Sequence, residues 1–155
     1  MSRKAGRLIA AVTLIVYGAV VFRVLVFKVS MLRIGHLRFR FVGESGGANL
    51  VPFRTIGSYL RGEPLSLMPM LNVAGNIVLF VPIGFLLPLV LRAVRWPSVL
   101  AMAVALGLAI EGTQAALRVG IFDIDDVILN ALGVMIGYWL FAAFAKRGRP
   151  RLTPA

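Results

Sequence analysis

The chain has 155 residues, of which 59% are hydrophobic and 15% are charged, and it carries a formal net charge of +11. Soluble domains are about 45 to 50% apolar and about 25% charged, so this composition excludes an ordinary soluble domain and a disordered chain. Four apolar blocks of 19 to 22 residues can each cross the hydrocarbon layer as a helix. They predict an all-α integral membrane protein with a single domain over 1–155 and four transmembrane helices, at about 8–27, 70–91, 97–117 and 127–145.

The first span resembles a secretory signal only at its basic start, Arg3, Lys4 and Arg7. The apolar run is too long for an ordinary signal, contains Arg23 and lacks a cleavage site of small residues, so we expect an uncleaved helix. The absence of cysteine excludes disulfides, thiolate metal sites and a cysteine nucleophile. Since His36 is the sole histidine, we expect neither a zinc site nor a cofactor.

Four spans leave both termini on one side of the membrane. The terminal side carries nine Lys/Arg in 22 connecting residues, against seven in 51 on the other side. The positive-inside rule therefore predicts cytoplasmic termini in the cell membrane and an extracytoplasmic connection over 28–69. The positive charge fits this topology and attraction to anionic lipid, whereas no soluble basic fold remains to bind nucleic acid.

The long connection, 28–69, contains three local signals. Alternation over 37–41 fits a short strand or an extended segment in the headgroups, and 44–48 reads as a turn. From Phe53 the apolar spacing predicts a short interfacial helix. This helix either anchors the connection or holds Arg54 over the polar residues of the spans, where a guanidinium suits phosphate or carboxylate.

Polar residues occur inside three of the predicted spans. Because successive spans run in opposite directions, the start of the second, the end of the third and the start of the fourth meet one membrane face. Asn72, Asn76, Glu111 and Asn130 all lie within about 9 Å of that face, at 1.5 Å per residue. We therefore expect them to share one depth.

Helical spacing places the polar residues of the third and fourth spans on defined faces, because residues three, four or seven apart share one side of a helix. These faces are formed by Glu111, Gln114 and Arg118 and by Asp126, Asn130, Gly133 and Gly137. Charged and amide groups are costly against lipid, and G-x-x-x-G lets helix backbones approach closely. We expect the faces to turn inward and form one polar cavity that water reaches.

Each signal also has a structural explanation. Asn and Gln serve as hydrogen-bonding contacts between membrane helices, and Glu111 can form a structural ion pair with Arg118 or Arg54. Pro82 and Pro88 can kink the second span, either to open the cavity or as a structural bend.

Three aspartates follow the third span, at positions 123, 125 and 126. Carboxylates suit divalent ions, but the run lacks the glycine and distal glutamate of a calcium loop. Asp126 suits the N-cap of the fourth helix, so we expect an exposed acidic loop that caps this helix, and no metal site.

Three ordered motifs closely resemble the VanZ-like family, which is named after a teicoplanin-resistance protein. They are NLVPF at 49–53, NVAGNIVLFVPIGFLLP at 72–88 and EGTQAALRVGIFDIDDVILNALGVMIG at 111–137. The resemblance implies a bacterial inner-membrane protein associated with glycopeptide-antibiotic resistance, without an established reaction. The matching family positions are Asn49, Pro52, Phe53, Asn72, Gly75, Asn76, Pro82, Gly84, Glu111, Gln114, Arg118, Asp123, Asp126, Asn130 and Gly133.

Three functions remain open. The first is a noncatalytic cell-envelope protein that binds an anionic lipid-linked or glycopeptide-like ligand, with candidate contacts Arg54, Asn72, Asn76, Glu111, Gln114, Arg118, Asp126 and Asn130. The second is an enzyme that acts on a lipid-linked phosphate or glycan with Glu111 or Asp126 as general acid or base, although no serine or histidine is paired with a base. A transport component ranks last, because four spans enclose little volume unless chains associate into a homo-oligomer. The expected partner is a membrane lipid or a lipid-linked envelope precursor.

Overall fold

The computed structural model describes residues 2–26, 48–60, 67–91 and 93–147. Within these residues the chain forms six helices: α1 (Arg3–Val26), α2 (Arg54–Leu60), α3 (Leu67–Val78), α4 (Val81–Val90), α5 (Trp96–Ala116) and α6 (Ile124–Arg147). The predicted strand at 37–41 lies outside the described residues.

Four helical segments are long and apolar enough to cross a membrane: Lys4–Val26, Val73–Val90, Trp96–Ala116 and Ile124–Lys146. The predicted fold class is therefore confirmed, and so is the short helix that begins after Phe53. The second span is divided between α3 and α4, and the fourth begins three residues before the predicted start at 127.

The second span is interrupted at Leu79 and Phe80, just before Pro82. Pro82 has no N–H to donate to the preceding turn. The chain tightens there, since Phe80 N donates to Ile77 O at 3.1 Å, three residues back. Tyr17 Oη donates to the Leu79 carbonyl at 3.0 Å, so a side chain from α1 supplies a partner at the break. Pro88, in contrast, lies within α4 without ending it.

Glycines bring α6 into direct backbone contact with the broken span. A Cβ at Gly133 would overlap the Ile77 carbonyl, and one at Gly137 would overlap the Val81 carbonyl. From the opposite side, Gly84 meets the backbone of α6 in the same way. The close approach predicted from G-x-x-x-G is confirmed, and it leaves no room for a side chain at these three glycine positions.

The last helix is the centre of the bundle, because 44% of its span is buried, against 22 to 28% of the other three spans. It packs against α3, α4 and α5, while α1 packs mainly against α4. Contacts at the two ends confirm the alternating directions of the spans. Arg7 Nε donates to Val90 O at 2.7 Å at the terminal end, and Gln114 Nε2 donates to Leu25 O at 2.9 Å at the other.

Gly133→Ala or Gly137→Ala will destabilise the protein by about 1–3 kcal/mol or more, because the added methyl group forces two backbones apart. The matched control is Gly112→Ala on α5, where a Cβ meets nothing within 4 Å. This control will be neutral or slightly stabilising. Thermal unfolding of the purified variants in detergent measures the difference, and equal melting temperatures for all three would contradict the packing.

Candidate functional site

The fourth span begins at an N-cap that sequence inspection assigned to the wrong aspartate. Asp123 Oδ1 accepts a hydrogen bond from Asp125 N at 2.9 Å, so Asp123 is the N-cap and α6 starts at Ile124. Asp126 lies in the first turn instead. The expectation of an exposed acidic loop is also wrong, since Asp125 is fully buried.

Asp125 is buried because its carboxylate caps a different helix. Oδ1 accepts from Phe53 N at 2.5 Å, and Oδ2 accepts from Thr55 N at 2.8 Å and Ile56 N at 3.1 Å. The Phe53 N–H immediately precedes α2 and the other two belong to its first turn, between 69 and 72 residues away in sequence. Hydrogen bonds to a charged acceptor are strong, and they replace the water that the buried carboxylate loses.

Asp123 holds the same segment at a second point. Its Oδ1 accepts from Asn49 Nδ2 at 3.0 Å and its Oδ2 accepts from Thr55 Oγ1 at 2.8 Å. The backbones also pair in parallel, with Asn49 N donating to Phe122 O at 2.8 Å and Ile124 N donating to Asn49 O at 3.0 Å. We call Asn49, Thr55, Asp123 and Asp125 the acidic cluster; it fixes residues 49–56 to the start of α6.

A tight turn delivers the α2 N–H groups to Asp125. Arg54 N donates to Val51 O at 3.3 Å, Pro52 fixes one backbone angle, and Phe53 has a φ of 63°. Positive φ is unusual for a bulky residue, and here it directs the Phe53 N–H at the carboxylate. The Phe53 side chain itself is 62% exposed. The geometry explains the NLVPF motif as the docking element of the long connection.

Glu111 joins the end of α5 to the acidic cluster. The residue is 2% exposed, and its Oε2 accepts a hydrogen bond from Asp123 N at 2.9 Å. The Asp123 N–H precedes the first turn of α6, so Glu111 stabilises the entry into that helix. This contact gives Glu111 a structural role at the start of α6.

Asn76 and Asn130 face one interface, between α3 and α6. Asn76 is 3% exposed and lies one turn before Phe80, whose Cβ packs against Gly133. Asn130 is 1% exposed and lies one turn before Gly133, on the same side of α6. Among the side chains that the structure describes, Asn49 Oδ1, Asn76 Nδ2 and Asn130 Oδ1 are buried without a hydrogen-bond partner. An unpaired buried polar group lowers the stability of a fold by about 1–3 kcal/mol, so each of these atoms is a local source of instability.

The polar residues extend down the bundle instead of sharing the predicted single depth. Glu111 is level with Asp123 because the two are hydrogen-bonded. Asn130 follows Asp123 by seven residues, which is about 10 Å along a helix. The single-depth expectation fails because α5 extends beyond the start of α6, and the loop between them turns back toward the bundle.

The two candidate arginines, Arg54 and Arg118, are both exposed at this end of the bundle. Arg118 occupies the residue after the C-cap of α5 with a φ of 54°, a position that favours glycine. Its N–H donates to Ala115 O at 3.1 Å, and Val119 N donates to Gln114 O at 3.0 Å, the pattern of a Schellman motif. Arg54 opens α2, immediately after the turn that binds Asp125.

The remaining candidates have other positions. The Gln114 side-chain amide donates a hydrogen bond to the Leu25 carbonyl, in the last turn of α1. Asp126 is half-buried in the first turn of α6. Asn72 lies in α3, and its side chain is outside the part of the chain that the structure describes. Within that part, no three Asp, Glu or His side chains converge as a metal site requires.

Sequence inspection missed the residues that organise this end. Asn49, Asp123 and Thr55 lie in or beside the motifs that resemble the family. Only that resemblance indicated Asn49, and Asp123 was expected in an exposed acidic loop. No local periodicity distinguishes Asp125 from Asp126, because its partners are distant N–H groups of the main chain. The positive φ of Phe53 likewise has no sequence signal, since a glycine would be expected there.

Comparison with known proteins identifies the family of the chain. The family model described as VanZ/LLP1 matches residues 13–145. The chain is a multi-pass membrane protein and belongs to the VanZ/LLP1 family. It is 28% identical over 98 residues to Protein VanZ of Enterococcus faecium, a stretch that covers 63% of this chain. The chain spans about half of that relative, 54% of its length. No solved structure matches.

Asp125→Asn will release the start of α2 from the bundle, because an amide nitrogen would face backbone N–H groups and the charge would be lost. Amide hydrogen exchange in detergent will accelerate at Phe53, Thr55 and Ile56 by on the order of tenfold or more. The amides of the α6 interior serve as the internal control and will keep their protection. Unchanged exchange at the three α2 amides would contradict the capping role.

Proposed function

We propose that the protein binds an anionic ligand, lipid-linked or glycopeptide-like, at the outer end of the bundle and catalyses no reaction on it. The observation that carries the proposal is Arg118, an exposed cation at a backbone position that favours glycine. A non-glycine residue in this conformation destabilises the fold by about 1 kcal/mol. The presence of arginine at this position is therefore not explained by its contribution to packing. Guanidinium groups suit phosphate and carboxylate oxygens, which they bind with two hydrogen bonds.

The distribution of charge at this end supports an anion. The carboxylates of Asp123 and Asp125 already accept hydrogen bonds from the docked segment, and Glu111 accepts one from Asp123 N. Arg54 and Arg118, in contrast, present their charges to solvent or headgroups. A phosphodiester or carboxylate that approaches the bundle from this side therefore meets cations first.

The contacts of Glu111 also support binding over catalysis. A general acid or base must reach the reacting group of a substrate, whereas Glu111 is buried against the start of α6. The enzyme alternative, with Glu111 or Asp126 as the proton-transfer group, would gain support from turnover of isolated envelope lipids by purified protein.

The link to glycopeptide resistance is part of this proposal and comes from the family. A protein that occupies or masks an anionic envelope component can change how a glycopeptide antibiotic reaches its target. Under this view, removal of the Arg118 guanidinium abolishes a teicoplanin phenotype in an expressing strain at unchanged protein abundance.

Anionic lipid will raise the melting temperature of the purified protein, and Arg118→Gly will remove this effect. The glycine relieves the positive-φ strain, so the variant will be as stable as wild type or more stable without lipid. Arg54→Ala will also weaken the response. Phosphatidylethanol, with one negative charge, and zwitterionic phosphatidylcholine, with no net charge, are the two probes.

The matched control is Arg95→Ala, which removes an exposed arginine at the opposite end of the bundle. It will keep the response to phosphatidylethanol. An undiminished response in Arg118→Gly and Arg54→Ala, or none in wild type, would reject the anion site.

The site lies outside the cell if the termini are cytoplasmic, as the density of Lys and Arg on the terminal side supports. The chain has no cysteine, so single cysteines report topology without background. A membrane-impermeant maleimide will label Val51→Cys in intact cells, but Lys146→Cys only after lysis; both positions are exposed. The reverse pattern would place the site on the cytoplasmic side.

A further inference from the structure

An apolar turn is exposed at the end of the bundle that carries the acidic cluster. Leu50, Val51 and Phe53 are 65%, 57% and 62% exposed, and Pro52 between them is exposed as well. Arg54 N donates to Val51 O, which closes a β-turn with Pro52 and Phe53 at its tip. Four consecutive apolar residues therefore face away from the bundle on a tight turn.

Neither packing nor capping explains a phenylalanine at the tip of this turn. The φ of Phe53 is 63°, a conformation in which a residue with a side chain is less stable than glycine by about 1 kcal/mol. The contact with Asp125 uses only the Phe53 N–H, which a glycine would supply equally well. The ring itself is mostly exposed, so it adds little to the core. A contact outside the chain would explain both the residue and its exposure.

The level of Phe53 relative to the bilayer follows from its hydrogen bond to Asp125. Phe53 N and Thr55 N both donate to this carboxylate, so the turn and the start of α2 lie beside the first turn of α6. The apolar helix Ile124–Lys146 has 23 residues and is therefore about 34 Å long at 1.5 Å per residue. The hydrocarbon layer is about 30 Å thick, so it covers all but about 2 Å at each end of a centred helix. Phe53 therefore lies at the boundary between headgroups and acyl chains.

The chain reaches this level from the headgroup side. Asn49 pairs in parallel with the residues that lead into α6, since its N–H donates to Phe122 O and its carbonyl accepts from Ile124 N. From Asn49 the chain therefore advances in the direction in which it enters α6. Val51 comes before Phe53 on this path, so Val51 lies nearer the headgroups.

We infer that the Phe53 side chain enters the acyl-chain edge of the bilayer at this end of the bundle, while Val51 stays among the hydrated headgroups. The surface that covers the exposed turn is phospholipid. Arg54 matches this placement, because it is an exposed cation directly after Phe53 and an arginine stem can lie on apolar surface while its guanidinium reaches the phosphates. The inference does not depend on the anion site, since the contact is with hydrocarbon and requires no particular headgroup.

Tryptophan fluorescence in vesicles tests the depth of position 53. Trp96→Phe and Trp139→Phe remove the two native tryptophans, and Phe53→Trp supplies the single emitter. The lipid is phosphatidylcholine brominated near the headgroup end of its acyl chains; it has no net charge, so it does not probe the anion site. The bromines will lower the emission by about twofold or more, because an interfacial anchor lies about 5–10 Å into the headgroup and acyl boundary. Iodide, which stays in water, will have little effect.

Two further proteins with a single tryptophan are the controls. Leu117 is 53% exposed at the same end of the bundle, but it lies six residues beyond Glu111, about 9 Å further out along α5. Leu117→Trp will be quenched by iodide and not by the bromines. The native Trp139, retained alone, is 56% exposed within the fourth span and will be quenched by the bromines.

A photoreactive lipid applies the same test to the unmodified chain, so a folding defect of Phe53→Trp cannot decide the outcome. Phosphatidylcholine with a diazirine on its acyl chain will label Phe53 and Trp139 and will leave Leu117 unlabelled. Mass spectrometry of the digested protein locates the label.

Quenching of Phe53→Trp by iodide and not by the bromines would place the turn in water and overturn the inference. Quenching by neither would show that protein, from this chain or from a second copy, covers position 53, and would overturn it as well. A lack of diazirine label at Phe53 while Trp139 is labelled would contradict it in the unmodified chain. Each of these results leaves the anion site standing, because that site is tested by the charge of the lipid.

Discussion

A carboxylate can be buried only where hydrogen bonds replace its water, and this constraint organises the polar end of the bundle. Asp125 is fully buried, and three backbone N–H groups from the start of α2 satisfy it. The buried carboxylate needs these N–H groups as donors, and the N–H groups need the carboxylate as acceptor. Docking of residues 49–56 and burial of the start of α6 therefore depend on each other. The long connection is therefore part of the fold at this point.

The membrane-embedded half of the structure follows a different rule, direct contact between backbones. Gly133 and Gly137 let α6 meet the broken second span, which leaves little space for side chains at that crossing. The polar groups that face the crossing, Asn76 and Asn130, are thereby buried from lipid. Contact between backbones and capping by Asp125 together hold the docked segment and the helix ends that carry Arg54 and Arg118 in place.

Features with local signals could be predicted from the sequence. The length and apolarity of four segments predicted the four transmembrane helices. G-x-x-x-G indicated the close approach of α6 to a neighbouring helix, and the spacing after Phe53 indicated a short helix. The capping by Asp125 could not be predicted, because its partners are main-chain groups about 70 residues away. The expectation of a single depth was wrong because the ends of successive helices are not level: the Glu111 bond to Asp123 shows that α6 starts below the end of α5.

The most direct test measures the distance between the Asp125 carboxyl carbon and the Thr55 amide nitrogen by solid-state NMR in lipid bilayers. With ¹⁵N-threonine and ¹³Cγ-aspartate labels, the 2.8 Å hydrogen bond places these nuclei about 3.5 Å apart. Strong dipolar dephasing that falls sharply in Asp125→Asn, to the weaker coupling of the neighbouring Asp123 carboxyl, is the predicted result. Weak dephasing that is the same in both proteins would show that the segment is not docked on Asp125, and it would contradict the account of this end of the bundle.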